Sequence, residues 1–342
     1  MPRPRKLLLI VLIAPLVLLT ASLTAFRVAS AWRESRTGAE AAPATGHFIS
    51  AAGLQIFIQE SGPSNGPAVF LVHGTGAWSD IWQETMAALA GAGYHAIAID
   101  LPPFGFSERP SPASYSDSAQ AARINAVLDA LNLESVTLVG HSIGARPTVE
   151  AALARPGRFR LLVLVDAALD PKEVPDQGRP GILARAVLSP RWVRTPLVAA
   201  TATNPLLTRR LYQKLIFDPA DATDAQVAMV QRQFQVRGTT AAVGDWIAEI
   251  ALGTSPARNQ RRSSYAVLTM PSCLIWGRED SVTPLPRGQA LAELLPHATL
   301  AVLEKTGHIP AVEDAPAFNT ALLGFLASHQ PESLTGQAGL QP

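Results

Sequence analysis

Short apolar runs alternate with longer amphipathic segments along most of this 342-residue chain. HFISAAG and LQIFIQE, which together span 47–60, alternate around Ala52 and Gly53 in the way a hairpin does. The later apolar runs are AVFLV at 68–72, HAIAI at 95–99, VTLV at 136–139, LLVLV at 161–165, SCLIW at 272–276 and ATLAVL at 298–303. Strands that alternate with helices form a parallel sheet covered on both faces. The sequence therefore predicts an α/β fold with a mostly parallel sheet of eight strands.

Helical patterns fall between these strands, at 79–92, 116–131, 145–154, 286–295 and 316–328. One interval is much longer, because residues 167–262 separate two successive strands. A structureless loop of that length is implausible in a compact domain. Helix-like segments in the interval lie at 181–200, 204–217, 225–237 and 243–252. We therefore predict a helical cap at 167–262, inserted into a core formed by 47–166 and 263–329.

The charge of the chain restricts its partners. The formal net charge is +1, and no Lys/Arg run is long enough to follow a phosphate backbone, which argues against nucleic acid. The predicted cap holds 13 Lys/Arg and 8 Asp/Glu, a net charge of +5. Such charge usually serves solubility, although a protein held near a bilayer could present it to anionic headgroups. The one cysteine, Cys273, lies in an apolar run, and we expect it to be a packed thiol rather than a reactive one.

The amino terminus carries twenty uncharged, mainly apolar residues at 7–26, after basic residues at positions 3, 5 and 6. At 1.5 Å per residue, a helix of this length matches the hydrocarbon thickness of a bilayer. A cleavable signal peptide has a shorter apolar region, although Ala29, Ser30 and Ala31 would serve as its cleavage site. The length favours an uncleaved membrane anchor within 1–33, with a signal segment as the alternative.

The flanking charges predict an orientation. Basic residues before the span favour a cytoplasmic amino terminus and an exported catalytic part, although Arg27, Arg33 and Arg36 weaken the asymmetry. Secretion after signal cleavage is the alternative. Residues 34–46, rich in Ala, Thr and Gly, are predicted to form a linker, and 330–342 a disordered tail.

GHSIG at 140–144 places Ser142 between two glycines in the spacing G-x-S-x-G. A serine hydroxyl is a poor nucleophile until a base removes its proton, and a sharp turn from strand to helix can expose that hydroxyl above a sheet. The motif follows the strand VTLV and precedes a helical segment, which is the context that such a turn requires. Ser142 is therefore the predicted nucleophile.

A base and a group that orients it are expected after later strands, in the order Ser, acid, His. Asp280 follows the strand SCLIW, and His308 follows the last strand, ATLAVL. We predict that His308 is the general base and that Asp280 orients it and stabilises the imidazolium. Asp166, at the end of LLVLV, is the alternative acid, and Glu279 is a further rival.

An oxyanion hole needs two backbone N–H donors. One prediction is the N–H of Ile143, directly after the nucleophile, and the other is that of Thr75 in the loop HGTGAW, with Gly76 as its alternative. His73 precedes the glycine turn and is expected to organise this loop. His141 is expected to point away from the site because it is next to Ser142 in sequence.

These segments together resemble an α/β-hydrolase fold serine hydrolase with an inserted cap, and the resemblance covers about 47–328. The matching segments are HGTG at 73–76, DLPPFGFSERP at 100–110, GHSIG at 140–144, WGREDSVTP at 276–284 and GHIPAVEDAP at 307–316. The chain departs from the commoner loop pattern at Pro103, where a glycine is more usual. Five motifs in order indicate the fold and the triad far more strongly than the substrate.

The resemblance implies several reactions. Family members similar to haloalkane dehalogenases and epoxide hydrolases have aspartate where this chain has Ser142, which argues against both activities. Hydrolysis of a carboxylic ester through an acyl-enzyme is the leading prediction. Carbon–carbon bond hydrolysis of the meta-cleavage type ranks second, because the corresponding loop of that family is richer in glycine and proline than HGTGAW. Perhydrolysis, as in cofactor-free haloperoxidases, uses the same residues, and a non-catalytic membrane-tethered receptor or scaffold is the alternative of another class.

No metal or cofactor is predicted, since the sequence has neither a paired-histidine helix nor a phosphate-binding glycine loop. The predicted ligand is a small molecule with an apolar acyl or alcohol group, because apolar cap residues would roof the pocket. Most of these residues are expected to form the core of the cap. They are Leu183, Val187, Leu188, Trp192, Leu206, Leu207, Phe217, Phe234 and Trp246.

Overall fold

The computed structural model describes residues 4–173, 180–253 and 257–329, with the backbone alone for 4–13. The tail predicted at 330–342 lies outside the described residues.

Within these residues, eight strands form one sheet in the order β1-β2-β4-β3-β5-β6-β7-β8. The strands are β1 Gly46–Ala51, β2 Leu54–Ser61, β3 Ala68–Val72, β4 His95–Ile99, β5 Val136–His141, β6 Phe159–Val165, β7 Ser272–Gly277 and β8 Ala298–Leu303. Strand β2 pairs antiparallel with β1 and β4, and the other pairs are parallel. The predicted eight-stranded, mostly parallel sheet is confirmed.

The helices cover both faces of this sheet and fill the interval between β6 and β7. Their bounds are α1 Pro4–Arg33, α2 Gly38–Ala41, α3 Gln83–Gly91, α4 Asp117–Ala130, α5 Ala145–Ala154, α6 Ile182–Leu188, α7 Arg191–Ala200, α8 Pro205–Gln213, α9 Asp224–Arg232, α10 Thr239–Leu252, α11 Leu285–Ala292, α12 Pro310–Glu313 and α13 Ala315–Ser328. The segment predicted as one helix at 181–200 is two helices, α6 and α7. Pro190 separates them, since proline has no N–H with which to extend α6.

The core consists of two apolar layers, one on each face of the sheet. Alternate residues of β5 enter different layers, because Leu138 packs in one buried cluster and Val139 in the other. Helices α4, α5 and α11 contribute to the first cluster, and α3 and α13 to the second. Burial of such a side chain contributes roughly 1.5–3 kcal/mol. The sheet is thereby fixed between two layers, and its strand ends have defined positions.

Residues 34–46, predicted to be a linker, are packed against the domain. Glu34 is buried and accepts hydrogen bonds from the backbone N–H (3.0 Å) and the hydroxyl of Thr240. Thr37 and Glu40 form a capping box at the start of α2. Ala41 is buried in an apolar cluster with residues of the core. The expectation of a free tether is therefore wrong, because contacts with residues about 200 positions away hold the segment.

Helix α1 forms the amino-terminal end of the described chain. It spans 30 residues, which corresponds to about 45 Å. Its part Ala14–Arg33 is long and apolar enough to cross a membrane. The carboxyl-terminal end of α1 lies against α7 of the cap.

Candidate active site

Ser142 lies on a sharp turn between β5 and α5. A short 3-10 turn, Ser142–Gly144, joins the two elements. Ser142 has a φ of 53°, in the left-handed region, a conformation that costs about 1–3 kcal/mol for a residue with a side chain. A Cβ at Gly144 would lie 2.2 Å from the carbonyl oxygen of His73, so this tight turn requires glycine at that position. The turn holds the Ser142 hydroxyl at the carboxyl end of the sheet.

Three side chains from different strand ends meet at this point. The Ser142 Oγ lies 2.7 Å from Nε2 of His308, and Nδ1 of His308 lies 2.8 Å from Oδ2 of Asp280. All three residues are buried. These partners assign the tautomer of a neutral His308, in which Nδ1–H donates to Asp280 and Nε2 accepts from the Ser142 hydroxyl. The structure thus brings together the three residues predicted as nucleophile, base and acid.

Asp280 is held as an anion. Its Oδ1 accepts the backbone N–H groups of Val282 (2.7 Å) and Thr283 (2.9 Å), and its Oδ2 accepts the Thr283 hydroxyl (2.5 Å). Burial alone would raise the pKa of Asp280, but the bonds from His308 and Thr283 outweigh it and lower the pKa to about 2. A fixed carboxylate therefore faces His308 at neutral pH.

The rival acids have other partners. Oδ1 of Asp166 accepts the backbone N–H of Gly277 (3.0 Å), and Oε2 of Glu279 accepts that of Thr306 (2.9 Å). Burial, followed by the neighbouring charge of Asp280, raises the pKa of Asp166 well above its usual range. Asp166 therefore lies beside the triad with a raised pKa, and Asp280 is the carboxylate bonded to His308.

The loop that follows β3 approaches Ser142 closely. A Cβ at Gly74 would lie 2.9 Å from the Cβ of Ser142, so only glycine permits this approach. Thr75 and Gly76 line the cavity above the serine. Ile143 is the second residue of the 3-10 turn, where a backbone N–H has no acceptor within the turn. The predicted oxyanion donors, Thr75 and Ile143, thus lie on the two segments that face each other at Ser142.

Two other buried histidines support this arrangement. His73 donates from Nδ1 to the carbonyl of Gly74 (2.9 Å) and accepts the N–H of Leu101 at Nε2 (2.9 Å). Burial lowers its pKa to about 4, so it is neutral and organises the loop. His141 does not point away as predicted. Its Nε2 donates to the carbonyl of His308 (2.7 Å), its ring lines the cavity, and burial lowers its pKa to about 3.

Sequence reasoning missed Glu313, which shapes the loop carrying His308. Its carboxylate accepts three backbone N–H groups, from Phe217 (2.7 Å), Gly307 (2.8 Å) and Ile309 (2.7 Å). Glu313 thereby holds the backbone on both sides of His308 and also binds Phe217 of the cap. The segment GHIPAVEDAP contains this glutamate five residues after His308, but only the fold shows that it turns back to the loop.

One group of side chains in the described part of the chain could offer converging metal ligands. The ligand atoms of Asp166, Asp280 and His308 lie within 4.8 Å of one another. The Asp280 oxygens already accept N–H and O–H donors, and both ring nitrogens of His308 have partners. The ligand atoms of Asp280 and His308 are therefore occupied by the hydrogen bonds of the triad.

A cavity of about 540 Å³ opens above Ser142 and is lined mainly by apolar side chains. The core contributes residues such as Ile81 and Phe104, and the cap contributes Phe234 and Trp246. Among the described lining residues, Lys214 is the one Lys, Arg, Asp or Glu. The cavity therefore suits a ligand with a substantial apolar part. Such a ligand would carry at most one anionic group, placed at the end of the cavity where Lys214 lies.

The apolar residues predicted to form the core of the cap divide into two groups. Phe234 is buried, and both it and Trp246 face the cavity. Leu183, Trp192, Leu206 and Phe217 are instead exposed, so the prediction is wrong for these four. The first three lie near the amino-terminal ends of α6, α7 and α8, where no other described element covers them.

Comparison with known proteins agrees with this architecture. The model of the alpha/beta hydrolase fold family matches residues 67–315. The chain is 30% identical over 299 residues to a 2-hydroxymuconate semialdehyde hydrolase of Pseudomonas sp. strain CF600, covering 83% of this chain and 95% of that protein.

Two solved structures are also similar. A meta-cleavage product hydrolase from Pseudomonas fluorescens IP01 is 25% identical, with a TM-score of 0.66 over 84% of this chain and 99% of the other. A membrane phospholipase A, described as a bacterial virulence factor, is 23% identical, with a TM-score of 0.66 over 95% of this chain and 97% of the other. The latter likeness concerns the fold alone.

Proposed function

The chain belongs to the alpha/beta hydrolase fold family, and on this premise we propose that it is a serine hydrolase in which Ser142, His308 and Asp280 cleave a bond to a carbonyl carbon. The observation that carries this proposal is the continuous series of hydrogen bonds from the Ser142 hydroxyl through His308 to Asp280. A receptor or scaffold would not need this alignment. The strained φ of Ser142 has the same implication, because such strain persists where function requires it.

The geometry gives each residue a role. Ser142 Oγ attacks the carbonyl carbon while its proton passes to Nε2 of His308, and Asp280 stabilises the imidazolium. The N–H groups of Thr75 and Ile143 stabilise the oxyanion, each contributing on the order of 3–4 kcal/mol in sites of this kind. The leaving group departs with the bonding electron pair and takes the proton from His308. Water then attacks the acyl-enzyme, with His308 again as base, and releases the acid and Ser142.

The relatives favour a carbon–carbon bond as the bond that is cleaved. The 2-hydroxymuconate semialdehyde hydrolase is 30% identical over nearly its whole length, and several other similar proteins carry names of the same class. In such a reaction the carbon next to the carbonyl leaves and receives the proton. We therefore rank hydrolysis of a meta-cleavage type dienoate first, which reverses the order predicted from the loop HGTGAW. Lys214 would receive the substrate carboxylate.

A carboxylic ester is the second candidate, and the cavity is the observation that favours it. Its lining is mainly apolar, with Lys214 as the one charged side chain among the described lining residues. Such a mainly apolar lining accommodates an apolar acyl chain.

The test is to assay 2-hydroxymuconate semialdehyde and a chain-length series of p-nitrophenyl esters side by side, with the full chain and its Ser142→Ala variant. Turnover of the dienoate that Ser142→Ala abolishes is the expected result. Turnover of esters alone would establish the second candidate. If a folded chain turns over neither and its Ser142 is not labelled by a fluorophosphonate, the proposal is wrong. Labelling without turnover would mean that the triad is active and that the substrate is of another class.

We also propose that α1 is an uncleaved anchor that holds the hydrolase on the exported side of a membrane. Its packing against the cap supports this, because cleavage after Ala31 would remove nearly all of α1, the helix that packs against α7. Mass spectrometry of the protein from membranes would show an intact amino terminus. Recovery of a soluble chain that starts near position 32 would establish the secreted alternative.

A further inference from the structure

Helix α1 leaves the cap beside the cavity. Its contact with the domain ends in Arg33, whose guanidinium donates to the carbonyl oxygens of Thr203 (2.8 Å) and Phe234 (3.3 Å). Thr203 and Phe234 also line the cavity. The buried and partly buried residues of α1 recur along one helical face and are Leu23, Phe26, Arg27, Ser30 and Arg33. This face is the one that meets α7.

The earlier part of α1 extends beyond this contact. Residues 14–22 are exposed along the whole helix surface. The helix from 4 to 22 is roughly 28 Å long, close to the hydrocarbon thickness of a bilayer. A bilayer crossed by this part of α1 would begin where the helix leaves the cap, next to α7.

Large apolar side chains lie on the cap helices near this position. Ile182 and Leu183 of α6 are 90% and 78% exposed, and Trp192 of α7 and Leu206 of α8 are each 80% exposed. Trp32, in the last turn of α1, is 81% exposed. We call these five residues the apolar rim. Helix α7 contacts both α6 and α1, so four of the five rim residues lie on neighbouring elements. Helix α8, which carries Leu206, follows α7 in the chain after residues 201–204.

The segment 180–217, which contains four of the five rim residues, carries only positive side-chain charge. It contains six Lys/Arg and no Asp/Glu. Three of the six, Arg191, Arg194 and Arg209, form ion pairs with aspartates outside the segment. The other three, Arg185, Arg210 and Lys214, are exposed and form no ion pair within the described residues. Exposed cations beside exposed apolar side chains match the headgroups and acyl boundary of an anionic bilayer.

We propose that the apolar rim inserts into the interfacial region of an anionic phospholipid bilayer, as a second membrane contact besides α1. Tryptophan at the rim fits this position, since its ring is amphipathic and concentrates at the membrane–water interface. Arg185, Arg210 and Lys214 contact the lipid phosphates while the apolar side chains enter the acyl boundary. The cap is thereby oriented on the membrane rather than hanging freely from its anchor.

This orientation places the cavity beside the bilayer. Leu211 of α8 and Lys214 just after it are exposed and also line the cavity, so the helix that carries Leu206 also forms part of the cavity mouth. An apolar substrate dissolved in the bilayer would reach Ser142 without crossing bulk water.

The depth of labelled cysteines tests the proposal. The full chain, whose one native cysteine, Cys273, is buried, is reconstituted in vesicles of phosphatidylcholine and phosphatidylglycerol, with an environment-sensitive fluorophore at Trp192→Cys or Leu206→Cys. Leu18→Cys in α1 is the inserted reference, and Gln289→Cys, exposed on α11 of the core, is the aqueous control. Circular dichroism and labelling of Ser142 by a fluorophosphonate verify that each variant is folded.

Quenching by nitroxide-labelled lipids at positions 192 and 206, approaching that of the Leu18→Cys reference, is the expected result. Fluorescence at these positions that matches the Gln289→Cys control, while Leu18→Cys is quenched, would overturn the proposal. Shielding of both positions in detergent, together with a dimeric mass, would show that a second copy of the chain covers the rim and would overturn it as well.

Lipid charge provides an independent test. Quenching at Leu206→Cys should decrease several-fold when phosphatidylglycerol is replaced by phosphatidylcholine or when Arg185 and Arg210 are both changed to glutamine. The matched control is Arg287→Gln, an exposed arginine on α11, which should leave the quenching unchanged. Quenching that is independent of lipid charge and of Arg185 and Arg210 would overturn the electrostatic part of the proposal.

Discussion

The core and the cap bury their large apolar side chains to different extents. In the core, two apolar layers enclose the sheet, so residues such as Leu138 and Val139 have no accessible surface. In the cap, part of the apolar surface lines the cavity, as Trp246 does, and part faces outward, as Trp192 and Leu206 do. The core therefore fixes the positions of the reacting groups, and the cap provides surfaces for molecules outside the fold. Changes in the core should act on catalysis, and changes in the cap on what binds.

The largest expected effect is on the nucleophile in the core. Ser142→Ala should lower kcat by about 10⁴-fold or more, because the acyl-enzyme cannot form and only binding and the oxyanion donors are left. Single-turnover kinetics on the better substrate of the two candidates measures this loss. A decrease of less than tenfold would mean that a group other than Ser142 performs the attack. The assignment of catalysis to the residues of the core would then be wrong.

The two buried aspartates of the core should differ sharply. Asp280→Asn should lower kcat by about 10³–10⁴-fold, because the amide cannot hold the same histidine tautomer or stabilise the imidazolium. Asp166→Asn should stay within about threefold, since Asp166 does not bond to His308 and asparagine keeps an acceptor for the N–H of Gly277. The reverse pattern in kcat would reassign the orienting acid to Asp166.

The same contrast explains which features could be predicted from the sequence. Short, mainly apolar runs are typical of strands, so β3, β4 and β8 are predicted with their observed bounds. Ser142 follows from its motif, and Asp280 and His308 from their places after strands. Each of these predictions depends on residues near one another in sequence.

What could not be predicted depends on contacts between distant segments. Glu34 bonds to Thr240, and His141 bonds to the backbone of His308; neither sequence neighbourhood indicates its partner. The sequence pattern places Trp192 of α7 in the cap core, because the pattern of an amphipathic helix shows which residues share a face and not what lies against that face. The pKa of Asp166 likewise depends on Asp280, 114 positions later.

A smaller effect is expected where the cap lines the cavity. Trp246 packs edge-to-face on Phe104 at 5.1 Å between ring centroids, and together they form part of the wall. Trp246→Ala should raise KM by about tenfold and leave kcat within about threefold, because lost apolar contact weakens binding more than the chemical step. Trp192→Ala, outside the cavity, is the matched control and should leave both constants unchanged for a soluble substrate. A large decrease in kcat would mean that the cap also positions the reacting groups.

The smallest effect is expected at the contact between the amino-terminal segment and the cap. Glu34→Gln keeps an acceptor for the N–H and hydroxyl of Thr240 but removes the charge that strengthens both hydrogen bonds, so the free energy of unfolding should decrease by about 1 kcal/mol. Urea unfolding in detergent measures it, with Glu134→Gln as the control, because the Glu134 side chain is exposed and its ion pair with Arg158 is long, at 3.8 Å. If both variants unfold alike, the contact at Glu34 contributes no stability. The attachment of the segment 34–46 to the domain would then depend on the packing of α1 against α7 and of Ala41 in its apolar cluster. If only Glu34→Gln is destabilised, the anchor and the cap form one rigid unit, as an oriented membrane contact requires.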